Sequence, residues 1–264
     1  MDTQHKTYGK VTRSFILAYG LISYLIFFVT FLYAIGFLGG FLVPTSLDGL
    51  ADANTWQALA IDLGLLSLFA IQHSVMARPA FKRWWTQFIP QPLERSTYVL
   101  FSSLALILVF AFWQPLGGTI WNFNNPLAQA GMYFGFAAGW VLLFAATFAI
   151  NHFDLFGLRQ VWLAFTAQPY RALKFKTPLM YRIIRHPLYL GWLMAIWFTP
   201  TMTAAHLFFA MVTSAYIFVG IRFEEKDLLT EHPDYAEYQA NVPMIFPSTK
   251  PKYATSSNQQ LPSA

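Results

Sequence analysis

Apolar residues along this chain gather in long blocks instead of alternating with polar ones. Four blocks, residues 14–43, 56–77, 97–116 and 131–152, are each long enough to cross a bilayer as a helix, since about 20 mostly apolar residues cover roughly 30 Å of hydrocarbon. A fifth block, residues 187–221, exceeds one ordinary span and is interrupted by Phe198-Thr199-Pro200-Thr201-Met202-Thr203. Proline among hydroxyl residues suits a tight turn between two short helices. The pattern therefore predicts an all-α, polytopic transmembrane bundle of six spans, the last two a helical hairpin. An acidic, amphipathic segment follows at 227–239, then Val242-Pro243-Met244-Ile245-Phe246-Pro247 as an apolar lid over the hairpin mouth. One membrane domain is expected over 1–247, and the polar tail 248–264 is expected to be disordered.

The charges supply an orientation. Loops 44–55 and 117–130 and the hairpin turn hold no Lys or Arg. All 17 basic residues fall on the other side: Lys6, Lys10, Arg13, Arg78, Lys82, Arg83, Arg95, Arg159, Arg171, Lys174, Lys176, Arg182, Arg185, Arg222, Lys226, Lys250 and Lys252. By the positive-inside rule this predicts both termini in the cytoplasm. The first block is too long for a signal core and has no convincing small-residue cleavage site, so it is expected to stay in the protein. Composition agrees, with 56% hydrophobic and 11% charged residues against about 45–50% and about 25% for soluble domains. The net charge of +5 then belongs to juxtamembrane loops, where anionic lipid and not nucleic acid is the natural partner. The absence of cysteine excludes disulfides, thiolate metal sites, iron–sulfur clusters and a cysteine nucleophile.

Polar residues in or beside hydrocarbon are where chemistry is first sought. Asp62 stands alone in the second block, His206 stands alone near the hairpin turn, and Gln72-His73-Ser74 ends the second block on the basic side. Three clusters share that side: Asn151-His152-Phe153-Asp154 through Arg159-Gln160, Arg182 through Gly191, and Arg222-Phe223-Glu224-Glu225. An antiparallel hairpin brings the last two together. Pro187 fits the first turn of a helix, which puts His186 at its N-cap, with Tyr189 three residues on. Glu224 and Glu225 point about 100° apart on a helix, so only one can face a given pocket.

Arg185-His186-Pro187-Leu188-Tyr189-Leu190-Gly191, then Arg222-Phe223-Glu224-Glu225, Tyr235, Tyr238 and Val242 to Pro247, resembles the C-terminal signature of the isoprenylcysteine carboxyl methyltransferases and related phospholipid methyltransferases. The rest, with Gln72-His73-Ser74-Val75-Met76-Ala77-Arg78 and the cluster at 151–160, resembles the nurim family. One departure is His232-Pro233, where the carboxyl methyltransferases usually carry Phe-Gly. The resemblance implies S-adenosylmethionine as methyl donor. Carried over, Arg185, His186, Pro187, Tyr189, Glu224 and Glu225 would bind it, with Tyr235 and Tyr238 covering it and Arg222 and Glu225 near the reacting end. No metal is expected.

Transfer to a thiol requires its anion, and free thiols have pKa values near 8.5 or higher. A histidine base or an arginine would favour the anion, typically by about 10² to 10⁴ in rate for a base. His152, His73 and Arg159 are the candidates, ahead of Arg222. The resemblance implies a small alkyl thiol, methanethiol first, as acceptor, and such a thiol can arrive through the bilayer. A prenylcysteine, lipid or other thiol, a non-enzymatic membrane protein, and haem held by His73 and His152 are the competing readings.

Overall fold

The computed structural model describes residues 8–51, 53–173, 177–232 and 234–247. The expected tail 248–264, Lys6, Lys174, Lys176, Lys250, Lys252 and Pro233 lie outside the described residues. Among the described residues, ten α-helices run in the order α1 Lys10–Gly39, α2 Thr55–Ala77, α3 Pro79–Trp85, α4 Glu94–Phe112, α5 Pro126–Ile150, α6 His152–Leu155, α7 Leu158–Phe165, α8 Pro187–Trp197, α9 Ala204–Glu231 and α10 Tyr235–Asn241. The described residues also form two short strands, β1 Thr119–Asn122 and β2 Thr201–Thr203. Five of the helices, α1, α2, α4, α5 and α9, are long and apolar enough to cross a membrane. Leu21, Leu25, Val29 and Leu32 on α1 and Phe134 and Val141 on α5 face outward and are exposed. That distribution suits hydrocarbon, because a helix satisfies its own backbone and can present apolar side chains to lipid.

Local chemistry sets the helix ends. Asn54 caps α2 by accepting from Trp56 N–H, and Asn125 caps α5 through two backbone N–H groups with Pro126 behind it. Thr203 caps α9, its hydroxyl accepting from His206 N–H at 3.1 Å. Such caps satisfy N–H groups that a helix start leaves without partners. The apolar core then forms from Phe37, Val109, Trp113, Trp140, Leu143, Ile196 and Phe209.

The hairpin differs from the expectation of two short helices and a tight turn. α8 has 11 residues, rising about 16 Å at 1.5 Å per residue, whereas α9 has 28. Phe198 and Thr199 continue without regular structure to a bend at Pro200, and β2 follows because Thr201–Thr203 finds a backbone partner. β2 pairs antiparallel with β1, Thr119 opposite Thr203 and Asn122 opposite Thr201, and Phe123 N–H donates to the Pro200 carbonyl at 3.0 Å. Non-helical backbone at this depth is tolerated when its polar groups are paired within the protein.

The same end collects the loops that lack basic residues. Asp48 accepts from the Thr203 hydroxyl and lies 3.2 Å from His206 Nδ1, while Trp113 Nε1 donates to the Leu47 carbonyl at 3.1 Å. Three base-free loops are thereby tied to one face, as the charge pattern requires. His206 is fully buried and its Nε2 lies 2.9 Å from the Ile196 carbonyl, which makes it a clasp between α8 and α9. Asp62 likewise fixes the end of α4, accepting from Gln114 N–H at 2.9 Å.

α8 is seated on α5 through two glycines. A methyl added at Gly191 would lie 2.7 Å from both the Gly139 carbonyl oxygen and Leu143 N, and one at Gly139 2.7 Å from Ala195 N. These are backbone atoms and cannot swing aside. Gly191→Ala is expected to push α8 off α5 and cost about 1–3 kcal/mol of stability, read as a lowered Tm in detergent. An unchanged Tm would show that the two helices can separate without strain.

Candidate functional site

α8 begins where the chain needs it to. Pro187 occupies the first helical turn, where its missing N–H costs nothing, and His186 is the N-cap residue. α9 returns antiparallel and presents Glu224 and Glu225 opposite. His186 Nε2 lies 2.9 Å from Glu225 Oε1, Arg185 Nε donates to the same oxygen at 2.7 Å, and Gln239 Nε2 donates to Oε2 at 2.9 Å. The Tyr235 hydroxyl approaches Glu225 Oε1 at 3.5 Å. Burial, and then the Glu225 carboxylate, hold the Tyr235 phenol well above its ordinary pKa. Arg185 and Glu225 keep only 10% and 11% of their side-chain surface exposed. A pair this enclosed is held by its surrounding hydrogen bonds as much as by its charges.

Glu224 is placed differently. It accepts from the Tyr189 hydroxyl at 2.8 Å, but its side chain is 45% exposed. The 100° offset between neighbouring helical residues thus gives one buried carboxylate that organises the structure and one open carboxylate.

The chain beyond α9 closes over this pair. Arg185 N–H donates to the Pro243 carbonyl at 2.9 Å and His186 N–H to the Met244 carbonyl at 3.0 Å. The Arg185 guanidinium also donates to the carbonyls of Gln239, at 2.9 Å, and Val242. Ile245 packs with Ile217 and Ile221, and the Tyr238 hydroxyl donates to the Tyr181 carbonyl at 2.6 Å. The acidic stretch expected at 227–239 is divided, its first part extending α9 and its second forming α10. Asp227 pairs with Arg78 at 2.9 Å. That pair is more than a third exposed, and such surface bridges contribute only about 0–1 kcal/mol.

The other sequence candidates divide into two groups. His73 lies 2.8 Å from the Tyr98 hydroxyl through Nε2 and 3.1 Å from Ser102 Oγ through Nδ1, and Phe69 stacks on its ring at 5.1 Å. Beside it Ser74 Oγ meets the Tyr216 hydroxyl of α9 at 3.0 Å. The Ser74–Tyr216 contact ties this hydroxyl-rich cluster to α9, the helix that carries Glu224. His152 and Arg159 belong elsewhere. His152 is buried, bonded to Tyr24 OH and Thr147 Oγ1, each at 2.8 Å, and stacked on Phe148 at 4.3 Å. Burial pulls its imidazole below the ordinary pKa. Arg159 pairs with Asp154 at 2.7 Å and lies over Tyr170. Arg222 is exposed and takes no part in the Glu225 network among the described residues. Nor, among the described residues, does any group of three His, Asp or Glu side chains gather as a metal site.

Sequence reasoning missed Gln239, Tyr98, Ser102 and Tyr216. A signal existed for the last three, since each is a hydroxyl inside an apolar block. Nothing local marks Gln239.

Fold and site together define a multi-pass helical membrane protein with a carboxylate site roofed by its own C-terminal segment. The chain is 56% identical over 238 residues to a methanethiol S-methyltransferase of Crocosphaera subtropica, covering 90% of this chain and 93% of that one. It is 47% identical over 236 residues to a methanethiol S-methyltransferase of Mycobacterium tuberculosis, covering 89% and 97%. Nurim of Mus musculus is 32% identical over 235 residues, covering 81% and 86%. No family model matches the chain, and no solved structure matches it significantly. The chain belongs to the nurim family, among its methanethiol S-methyltransferases. It is a methyltransferase, and its reaction therefore requires a methyl donor.

Proposed function

We propose that the protein moves a methyl group from S-adenosylmethionine to methanethiol, releasing dimethyl sulfide, at the cytoplasmic mouth between α8 and α9. The observation that carries this reading is the meeting of Arg185, His186 and Tyr189 with Glu224 and Glu225 under the C-terminal roof. The residues fit the donor. Glu224 offers an open carboxylate, and the rings of His186 and Tyr189 lie 5.5 Å apart beside it. Carboxylates and aromatic faces both favour a cation. When bound, S-adenosylmethionine supplies an electrophilic methyl group on a sulfonium.

The chain's own residues provide the remainder. Glu225, Arg185 and Gln239 hold the roof closed, and Tyr235, Tyr238 and Ile245 keep water out, which strengthens every charge interaction beneath them. Pro187 starts α8 so that His186 and Tyr189 share a face. On the membrane side, His73 receives the thiol proton through the Tyr98 hydroxyl, leaving the thiolate to attack in line. His152 and Arg159 hold α6 and α7 in place, and Arg222 stays at the membrane surface. A small apolar thiol reaches this cluster from the bilayer, and both chain termini face the cytoplasm with the basic loops.

Cells expressing the chain and fed methanethiol are expected to release dimethyl sulfide into the headspace. Purified protein with labelled donor and a panel of thiols, a prenylcysteine included, is expected to favour methanethiol. Failure to label any thiol would overturn the proposal.

A further inference from the structure

Tyr181 has a hydroxyl buried from solvent that makes no hydrogen bond. It belongs to a single turn, Leu179–Arg182, just before Arg185 and His186, and the roof fixes it there because Tyr238 donates to its carbonyl at 2.6 Å. The turn also holds Leu179 at φ +42°, a left-handed conformation that costs a non-glycine residue of order 1–3 kcal/mol unless its surroundings enforce it. An enclosed hydroxyl without a partner is costly as well, and buried groups of this kind call for an explanation. Glu224 stands at the start of α8, its carboxylate 4.0 Å from His186 Nδ1 and bonded to the Tyr189 hydroxyl, and it makes no hydrogen bond to Tyr181.

We infer that Tyr181 and Glu224 together clamp the ribose diol of the nucleoside donor, Tyr181 donating to one hydroxyl and Glu224 accepting from it or its neighbour. The two protein groups ask for different things. A phenol with no acceptor needs a lone pair, and a carboxylate needs a proton donor. A ligand carboxylate would satisfy Tyr181 but be repelled by Glu224, and a ligand ammonium would satisfy Glu224 but cannot accept from Tyr181. Hydroxyls do both, and a vicinal pair does both at once. Tyr189, already donating to Glu224 Oε2, holds the carboxylate in position for this. The inference rests on the donor proposed above, and it places the ribose at the Glu224 side of the site.

The test is calorimetric and needs no turnover. S-adenosylhomocysteine is titrated into full-length protein in detergent, wild type and Tyr181→Phe, and then its 2′-deoxy and 3′-deoxy analogues are titrated into both. Tyr181→Phe is expected to weaken S-adenosylhomocysteine by about five- to tenfold, the scale of one hydrogen bond. That loss is expected to vanish for one of the deoxy analogues. The Tm of the ligand-free variant is expected to equal or exceed that of wild type, since only an unsatisfied hydroxyl is removed. Equal affinity of variant and wild type, or a loss the same size for every analogue, would overturn the clamp while leaving the donor assignment intact. A lowered Tm would likewise overturn it, by showing that the hydroxyl has a structural partner. If wild-type protein binds none of the nucleosides, the donor proposal itself fails.

Discussion

Glu225→Ala is expected to reduce methyl transfer to background, to abolish S-adenosylmethionine binding, and to lower stability by about 3–5 kcal/mol. The size follows from what the substitution leaves behind. Arg185, with a tenth of its side chain exposed, loses its carboxylate, and removing one member of a buried pair leaves an uncompensated charge. His186 and Gln239 lose partners in the same step, so the roof is no longer tied to the start of α8. Thermal unfolding in detergent and calorimetry with S-adenosylmethionine check this together. Glu224→Ala supplies the contrast, because its carboxylate is half open, hydrogen-bonded to Tyr189 and otherwise only 4.0 Å from His186 Nδ1. It is expected to lose ligand affinity with little change in Tm. If Glu225→Ala kept its Tm and still bound the donor, the network described around Glu225 would not be what holds the site.

His73→Ala is expected to lower kcat by about 10² to 10⁴, the range general-base help provides, with S-adenosylmethionine affinity unchanged. Its residual rate should climb with pH, about tenfold per unit below the thiol pKa, because the thiolate then forms without a base. Wild type should show a flatter profile. The signs distinguish this position from His152, where replacement removes hydrogen bonds to Tyr24 and Thr147 and a stacked ring. His152→Ala is expected to lower Tm while leaving kcat of the folded fraction near wild type and no steeper with pH. A reversal of the two phenotypes would move the proton acceptor to His152.

Much of the membrane architecture was legible because hydrocarbon imposes a length and a sign rule. A block of apolar residues long enough to span has few alternatives to a helix, and the segregation of 17 basic residues anticipated that loops 44–55, 117–130 and the hairpin turn would share a face. They do, through β1, β2 and Asp48. At Pro200 local composition pointed to a tight turn, and the chain does bend there, but the residues just after it are not a plain turn. A strand formed instead because β1 offered a ladder, and strand pairing depends on a partner about 80 residues away that no local pattern announces.

At the site, the sequence by itself determined which residue types meet: Pro187 starting a helix, His186 at its cap, Tyr189 on the same face, and two glutamates whose side chains must diverge. Helical periodicity and the hairpin are enough for that, since both act over a few residues. Only the tertiary structure decided that Glu225 is the buried member and Glu224 the open one, that Gln239 completes the roof, and that His73 sits among the hydroxyls of Tyr98 and Ser102 while His152 and Arg159 bond to Tyr24 and Asp154. Those outcomes depend on how α2, α4 and the C-terminal segment rotate about their own axes against α9. That rotation follows from side-chain packing summed over the whole bundle, while Gly139 and Gly191 set how closely α8 approaches α5.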